Sequence, residues 1–241
     1  MSGCRRRTVA ALAAAGLWVA GIGSVAAQGR PVLFPAGDGV PIAAVLYDAD
    51  VRPAPAVVLV HMLSRSKDDW RGVAEGLQRE GITALAIDLR GHGGSGGTAA
   101  SLPAMTADVR AAVAWLRARP EVRPEAIGMA GASLGANLAM VVAAGQGAEG
   151  VRSVALLSPS LEYRGISLSG IMRRYGARPL LLAASTEDPL ALRTIRDLAE
   201  DTQGIREQWV EPVAGHGTVL LDRAPDLVRT LVDWFRRTLL F

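Results

Sequence analysis

From Ala56 onward, short uninterrupted apolar runs take turns with stretches whose apolar residues recur every three or four positions. This alternation restricts the chain to very few folds. Ala56-Val-Val-Leu-Val60 is apolar throughout, as expected of a strand covered on both faces. Ser66-Lys-Asp-Asp69 reads as a capping-box start to a helix, with Trp70, Val73, Ala74 and Leu77 on one face and Gly81 as its C-cap. Residues 82–87 form the next strand, and Val109, Ala112, Val113 and Leu116 mark a helix that stops before Pro120. A strand at 126–130, a helix at 134–144, strands at 151–157 and 180–184, a helix at 190–200 and a last strand at 208–213 continue the pattern. The closing helix has Pro225 in its first turn and Leu227, Leu231, Trp234 and Phe235 on one face. The expectation is an α/β protein with a mostly parallel central sheet and helices on both faces. Before it, residues 32–34 and 42–47 flank Asp38-Gly39, which predicts an antiparallel N-terminal hairpin at the sheet edge. Residues 159–178 have no partner in the alternation and are the expected place for a small cap or substrate-facing excursion. Tyr163, Met172 and Tyr175 lie there, suited equally to a pocket wall or to packing.

The first 27 residues stand apart. Arg5, Arg6 and Arg7 precede an uncharged, Ala-rich run from Thr8, and small residues at Ser24, Ala26 and Ala27 offer a cleavage point. This is the anatomy of a signal peptide, which predicts export to the periplasm or medium and one domain over 28–241. The alternative is a retained membrane anchor, since the run approaches the roughly 20 residues that span a bilayer. The Arg pair also fits a twin-arginine signal. Without this leader the chain's 26 Lys and Arg fall into balance with its 23 Asp and Glu. A near-neutral mature chain has no general attraction to nucleic acid. Cys4, the single cysteine, leaves with the leader, so a disulfide or a thiolate nucleophile is excluded from the remainder.

Gly131-Ala132-Ser133-Leu134-Gly135 carries the chemistry. It follows directly on a predicted strand and runs directly into a predicted helix, the context in which a strained turn lifts a serine hydroxyl above a sheet. Gly93-Gly94-Ser95-Gly96-Gly97 matches the same pattern, but it sits in a flexible glycine run well before the next helix. Ser95 therefore has no fixed turn to occupy. Gly91-His92-Gly93-Gly94-Ser95-Gly96 also matches a dinucleotide fingerprint, yet residues 98–103 separate it from the helix that should open at the glycines. It reads as a loop on the active-site side.

Where an elbow serine is served by a triad, the order along the chain is Ser, then Asp or Glu, then His. Of His61, His92 and His216, only His216 lies beyond Ser133. Asp188, after the strand at 180–184, is the expected third member; Glu187 is adjacent, and Asp188 would equally serve as an N-cap for the helix that follows. The N–H groups of Leu134 and Leu63, with Met62 as an alternative to Leu63, are the expected oxyanion donors. No His, Cys and carboxylate cluster has metal-ligand spacing, and neither a metal nor an organic cofactor is expected.

With these pieces placed, the sequence resembles the α/β-hydrolase superfamily, particularly its dienelactone-hydrolase-like and small serine esterase members. His61-Met62-Leu63-Ser64-Arg65-Ser66 is similar to the family's His-Gly oxyanion loop, with Met62 in place of glycine. Asp88-Leu89-Arg90-Gly91-His92-Gly93 is similar to its loop after the next strand. The resemblance implies a hydrolase without a large lid, and Ser133 in place of the dienelactone hydrolases' cysteine implies ester chemistry on a small-molecule substrate. Acyl transfer, thioester or peptide cleavage on the same triad, and a non-catalytic exported binding protein, are the alternatives.

Overall fold

Odd and even positions along each strand feed different apolar layers, and that division builds the molecule. The computed structural model describes residues 29–99, 101–145, 150–200 and 203–241; the leader expected over residues 1–27, with Cys4, lies outside them. Along β3 (Ala54–Val60), Ala56, Val58 and Val60 enter one buried cluster while Val57 and Leu59 enter the other. The first cluster lies under α2 (Leu102–Arg117), α3 (Leu134–Gly145), α4 (Leu168–Tyr175) and α5 (Pro189–Glu200). The second lies under α1 (Arg71–Arg79), α6 (Val219–Arg223) and α7 (Pro225–Leu239). A sheet covered on both faces explains why its inner strands carry no polar alternation.

The remaining strands of the sheet are β1 (Arg30–Pro35), β2 (Pro41–Tyr47), β4 (Thr83–Ile87), β5 (Val122–Ala132), β6 (Ser153–Leu157), β9 (Leu180–Ser185) and β10 (Arg206–Glu211). Their order is β1-β2-β4-β3-β5-β6-β9-β10. β1 and β2 are antiparallel, as is β2 to β4, and every pairing from β4 to β10 is parallel. The expected parallel sheet with an antiparallel edge is therefore present. All loops that follow the parallel strands emerge on one rim, where ligands of open α/β sheets bind.

Several boundaries differ from the sequence reading. The last strand is Arg206–Glu211, not 208–213. It is an edge strand with one neighbour and an exposed face, so charged residues take part: Glu207 binds Arg237 through both carboxylate oxygens. Residues 159–178 hold a two-stranded hairpin, β7 (Glu162–Tyr163) and β8 (Ile166–Ser167), followed by α4. Its turn places Arg164 and Gly165 at positive φ, the twist such a tight hairpin needs. Ser66 does cap the short 3-10 turn Lys67–Trp70, but Asp69 does not close a capping box. Its carboxylate binds Arg65 at 2.7 Å and the Thr218 hydroxyl.

Candidate active site

β5 ends at Ala132 and α3 begins at Leu134, which leaves Ser133 alone in the turn with φ at +51°. A non-glycine residue in that region costs roughly 1–3 kcal/mol and persists only when its surroundings dictate it. Here they do. The Ser133 N–H donates to Leu157 O at 2.8 Å, and the Ser133 carbonyl accepts from the N–H groups of Ala136 and Asn137. A Cβ on Gly131 would stand 2.3 Å from Gly135 O, and one on Gly135 2.4 Å from Val60 O. The turn closes only with glycine at both positions.

His216 lies beyond β10, in a loop held at four points. Ala214 N–H donates to Ser185 Oγ (3.0 Å), Gly215 N–H to Glu187 Oε2 (3.1 Å), Gly217 N–H to Ser158 Oγ (3.0 Å), and Val219 N–H to His216 O (3.2 Å). The imidazole spans the rim. Its Nδ1 is 2.5 Å from Asp188 Oδ2 and its Nε2 is 2.7 Å from Ser133 Oγ. A carboxylate only accepts, so Nδ1 carries the proton and Nε2 has a lone pair directed at the serine hydroxyl.

Asp188 makes two contacts, one with each oxygen. Oδ1 accepts from Ala191 N–H at 3.1 Å, capping α5, while Oδ2 meets His216. Glu187 is turned elsewhere: it takes the Gly215 N–H and lies 3.6 Å from Arg223. The structure thus brings Ser133, His216 and Asp188 into one hydrogen-bonded line and leaves Glu187 outside it.

Leu134 opens α3, so its N–H is among the first-turn donors that a helix cannot use internally. Leu63 follows β3 by three residues, in a loop pressed onto the elbow, since Gly135 packs against the carbonyls of Val60 and His61. Met62 lies against the histidine loop, its Sδ where a Cβ on Gly217 would stand. The side chain that replaces the family's glycine therefore packs beside His216.

Residues that no sequence motif marks also hold this rim in place. Ser158 and Ser185, fully buried at the ends of β6 and β9, support the histidine loop; Ser158 also has positive φ. Asn137, fully buried in α3, bonds both the N–H and the carbonyl of Ser160. Their one sequence signal is position: each follows an apolar strand or lies one turn past the elbow. His61 and His92 make no hydrogen bond to Ser133, and both ring nitrogens of each are engaged elsewhere. His61 Nδ1 meets Met62 O at 2.7 Å and its Nε2 accepts from Leu89 N–H at 3.0 Å. Burial pushes the His61 imidazole below its usual range. Burial pushes the Asp88 carboxyl up, but the Lys67 ammonium with the N–H groups of Lys67 and Gly94 more than offsets this and holds it below the usual carboxylate range.

A cleft of about 360 Å³ adjoins Asp188 and His216. Pro159, Ser160, Leu161 and Glu162 form one wall, and Leu190, Ala191, Arg193, Thr194 and Asp197 of α5 form the other. The excursion after β6 therefore reaches the site through its first residues only. Met172 and Tyr175 are core instead, with the Tyr175 hydroxyl on Pro179 O, and Tyr163 is half-buried and not among the cleft's lining residues. Among the described residues no three His, Cys, Asp or Glu side chains stand together in a way that would hold a metal ion. No described helix is long and apolar enough to cross a membrane.

Residues 51–210 match the protein family described as Serine aminopeptidase, S33. No curated protein matches the sequence. Solved structures share the fold at low identity. An esterase of Pyrococcus furiosus is 20% identical with a TM-score of 0.75, over 88% of this chain and 91% of that one. The dienelactone hydrolase of Anabaena variabilis is 21% identical with a TM-score of 0.72, over 88% and 98%. Est1E of Butyrivibrio proteoclasticus, seen with ferulic acid bound, is 16% identical with a TM-score of 0.77, over 87% and 100%.

Proposed function

Because the chain belongs to the serine aminopeptidase S33 family of α/β-hydrolases, we propose that it is a serine hydrolase cleaving carboxylic esters through an acyl-enzyme. The observation that carries this reading is the unbroken line from Asp188 Oδ2 through His216 to Ser133 Oγ, at 2.5 and 2.7 Å. In it, His216 Nε2 takes the hydroxyl proton as Ser133 Oγ attacks the ester carbonyl. Asp188 holds the imidazole in the required tautomer and stabilises the imidazolium that forms. The N–H groups of Leu134 and Leu63 receive the oxyanion, each worth about 3–4 kcal/mol of barrier. His216 then protonates the leaving alcohol and afterwards draws a proton from water, which attacks the acyl-enzyme and frees the acid.

The cleft beside His216 is near the small end of ligand pockets, which run to roughly 300–1,000 Å³, and this favours a compact group on the ester. The family's description favours a second reading, hydrolysis of an aminoacyl amide by the same residues. In the ester reading residues 1–27 are a leader removed on export, which the intact mass of the exported protein checks.

The test is fluorophosphonate labelling of the mature protein, with the adduct mapped and Ser133→Ala as control. Labelling at Ser133, lost in the variant, is the expected result. A wild-type protein that takes no label, or a variant labelled equally, overturns the reading. p-Nitrophenyl esters of increasing acyl length, set against aminoacyl p-nitroanilides, separate ester from amide cleavage.

A further inference from the structure

Leu63 sits between two peptide planes, and each plane is held by an imidazole. The plane on its N-terminal side contains the Met62 carbonyl and the Leu63 N–H, which point in opposite directions because the peptide is trans and flat. His61 Nε2 accepts from Leu89 N–H, so His61 Nδ1 carries the ring's proton and donates it to Met62 O at 2.7 Å. Fixing that carbonyl fixes the Leu63 N–H on the other side of the plane. The plane on the C-terminal side contains the Ser64 N–H, which donates to His92 Nε2 at 3.3 Å. His92 Nδ1, protonated for the same reason, meets Arg90 O at 3.1 Å.

Neither imidazole is free to drift. The two rings lie 5.0 Å apart, His61 is fully buried, and Arg90 is locked between Asp108 and Asp38 by bonds of 2.6–3.1 Å. Ser64 has φ at +61°, as the third residue of a turn that Arg65 N–H closes on Met62 O at 3.3 Å, so the His61 and His92 bonds act on a segment already bent back on itself.

We propose that His61 and His92 are positioning residues which clamp the peptide planes on either side of Leu63 and so aim its N–H at the oxyanion. This rests on the proposed function, in which Leu63 supplies that donor. The clamp acts on an interaction that strengthens only in the transition state, so its loss lowers kcat and leaves KM nearly unchanged.

The experiment compares wild type, His92→Leu and His92→Gln in hydrolysis of p-nitrophenyl acetate, with circular dichroism and Tm as controls for folding. Glutamine is the conservative variant, because its amide oxygen reaches the position of Nε2 and still accepts from Ser64 N–H. We expect His92→Leu to lose about 10- to 100-fold in kcat, the scale of a misplaced catalytic group, with KM within about threefold. His92→Gln should recover most of that loss. Should His92→Leu not fold, His92→Asn, whose amide stops short of Ser64, carries the same comparison. An unchanged kcat in a folded variant lacking the acceptor, or equal losses in leucine and glutamine variants, overturns the clamp. A wild type that neither turns over the ester nor labels at Ser133 defeats the proposed function instead, so the two failures are distinguishable.

Discussion

The chain contains two Gly-x-Ser-x-Gly loops on the same rim of the sheet, and they use serine in opposite ways. At Ser133 the main chain is tied down and the hydroxyl is left to His216. At Ser95 the hydroxyl itself does the tying: Oγ donates to Asp88 O at 2.7 Å and accepts from Ala43 N–H at 2.8 Å, joining the loop to β2. The glycines differ in the same sense. Those around Ser133 clear room for a strand, a turn and a helix packed backbone to backbone. Gly93 clears room for the buried Asp88 carboxylate, which a Cβ there would strike at 2.1 Å. The second loop is as ordered as the first, contrary to the flexible run its composition suggests. Its serine is consumed by the fold, and a hydroxyl with both bonding directions occupied is unsuited to attack.

The sharpest way to break this contrast is to remove each hydroxyl in turn. Ser133→Ala should lower kcat by about 10⁴-fold or more while leaving folding intact. Ser95→Ala should retain most of its turnover but lose about 1–3 kcal/mol of stability in urea, because it strands the Ala43 N–H and the Asp88 carbonyl. A reversed outcome would exchange the roles assigned to the two loops. Next in size is the carboxylate pair behind the first loop. Asp188→Asn should cost on the order of 10⁴ in kcat, since an amide no longer fixes the imidazole tautomer. Glu187→Gln, which touches only the Gly215 N–H and Arg223, should cost less than about tenfold.

A smaller effect separates the glycines. Gly135→Ala drives a methyl into the backbone of β3 and should cost about 3 kcal/mol or more, with activity lost alongside stability. Gly93→Ala adds left-handed strain to a collision with Asp88, and should lower Tm comparably without removing fluorophosphonate labelling of the molecules that remain folded.

The smallest effect is the acid dependence of stability, read from urea midpoints against pH. His61 is held below its ordinary value when folded, so below about pH 6.5 the unfolded chain binds a proton that the native state refuses. Stability then falls with pH by about 1.4 kcal/mol per unit until the native imidazole also protonates. Asp88, also held low, contributes stability that is present above about pH 4 and lost as pH falls through its folded value. His61→Gln should flatten the first stage and leave the second. A wild-type stability that is level from pH 7 to 5 would contradict the burial argument.

Much of this was written in local patterns. Apolar runs mark the inner strands because those strands are covered on both faces; the main departures are β5, which extends over Val122–Ala132 beyond the expected 126–130, and β10, which begins and ends two residues earlier than expected. The elbow was legible because a strand, two glycines around a serine, and a helix are contiguous in sequence. His216 was legible from chain order alone. The hairpin at Arg164-Gly165 and the helix α4 were not, because strands of two residues and a helix of eight are too short to stand out, although Gly165 marks the turn and Leu168, Ile171, Met172 and Tyr175 recur at helical spacing.

What the amino-acid sequence determined by itself is therefore the layering of the sheet, the turn that raises Ser133, and the imidazole that follows it. Only the tertiary structure decided which of two adjacent carboxylates faces that imidazole, and that Ser95, Ser158 and Ser185 serve the backbone. The same holds for His61, whose Nδ1–H donates to Met62 O, and for His92, whose Nε2 accepts from Ser64 N–H. The physical reason is range. Secondary structure answers to neighbours a few residues away, whereas these hydrogen bonds join groups mostly 28 to 83 positions apart along the chain. Their direction exists only once the strands have brought their ends to a common rim.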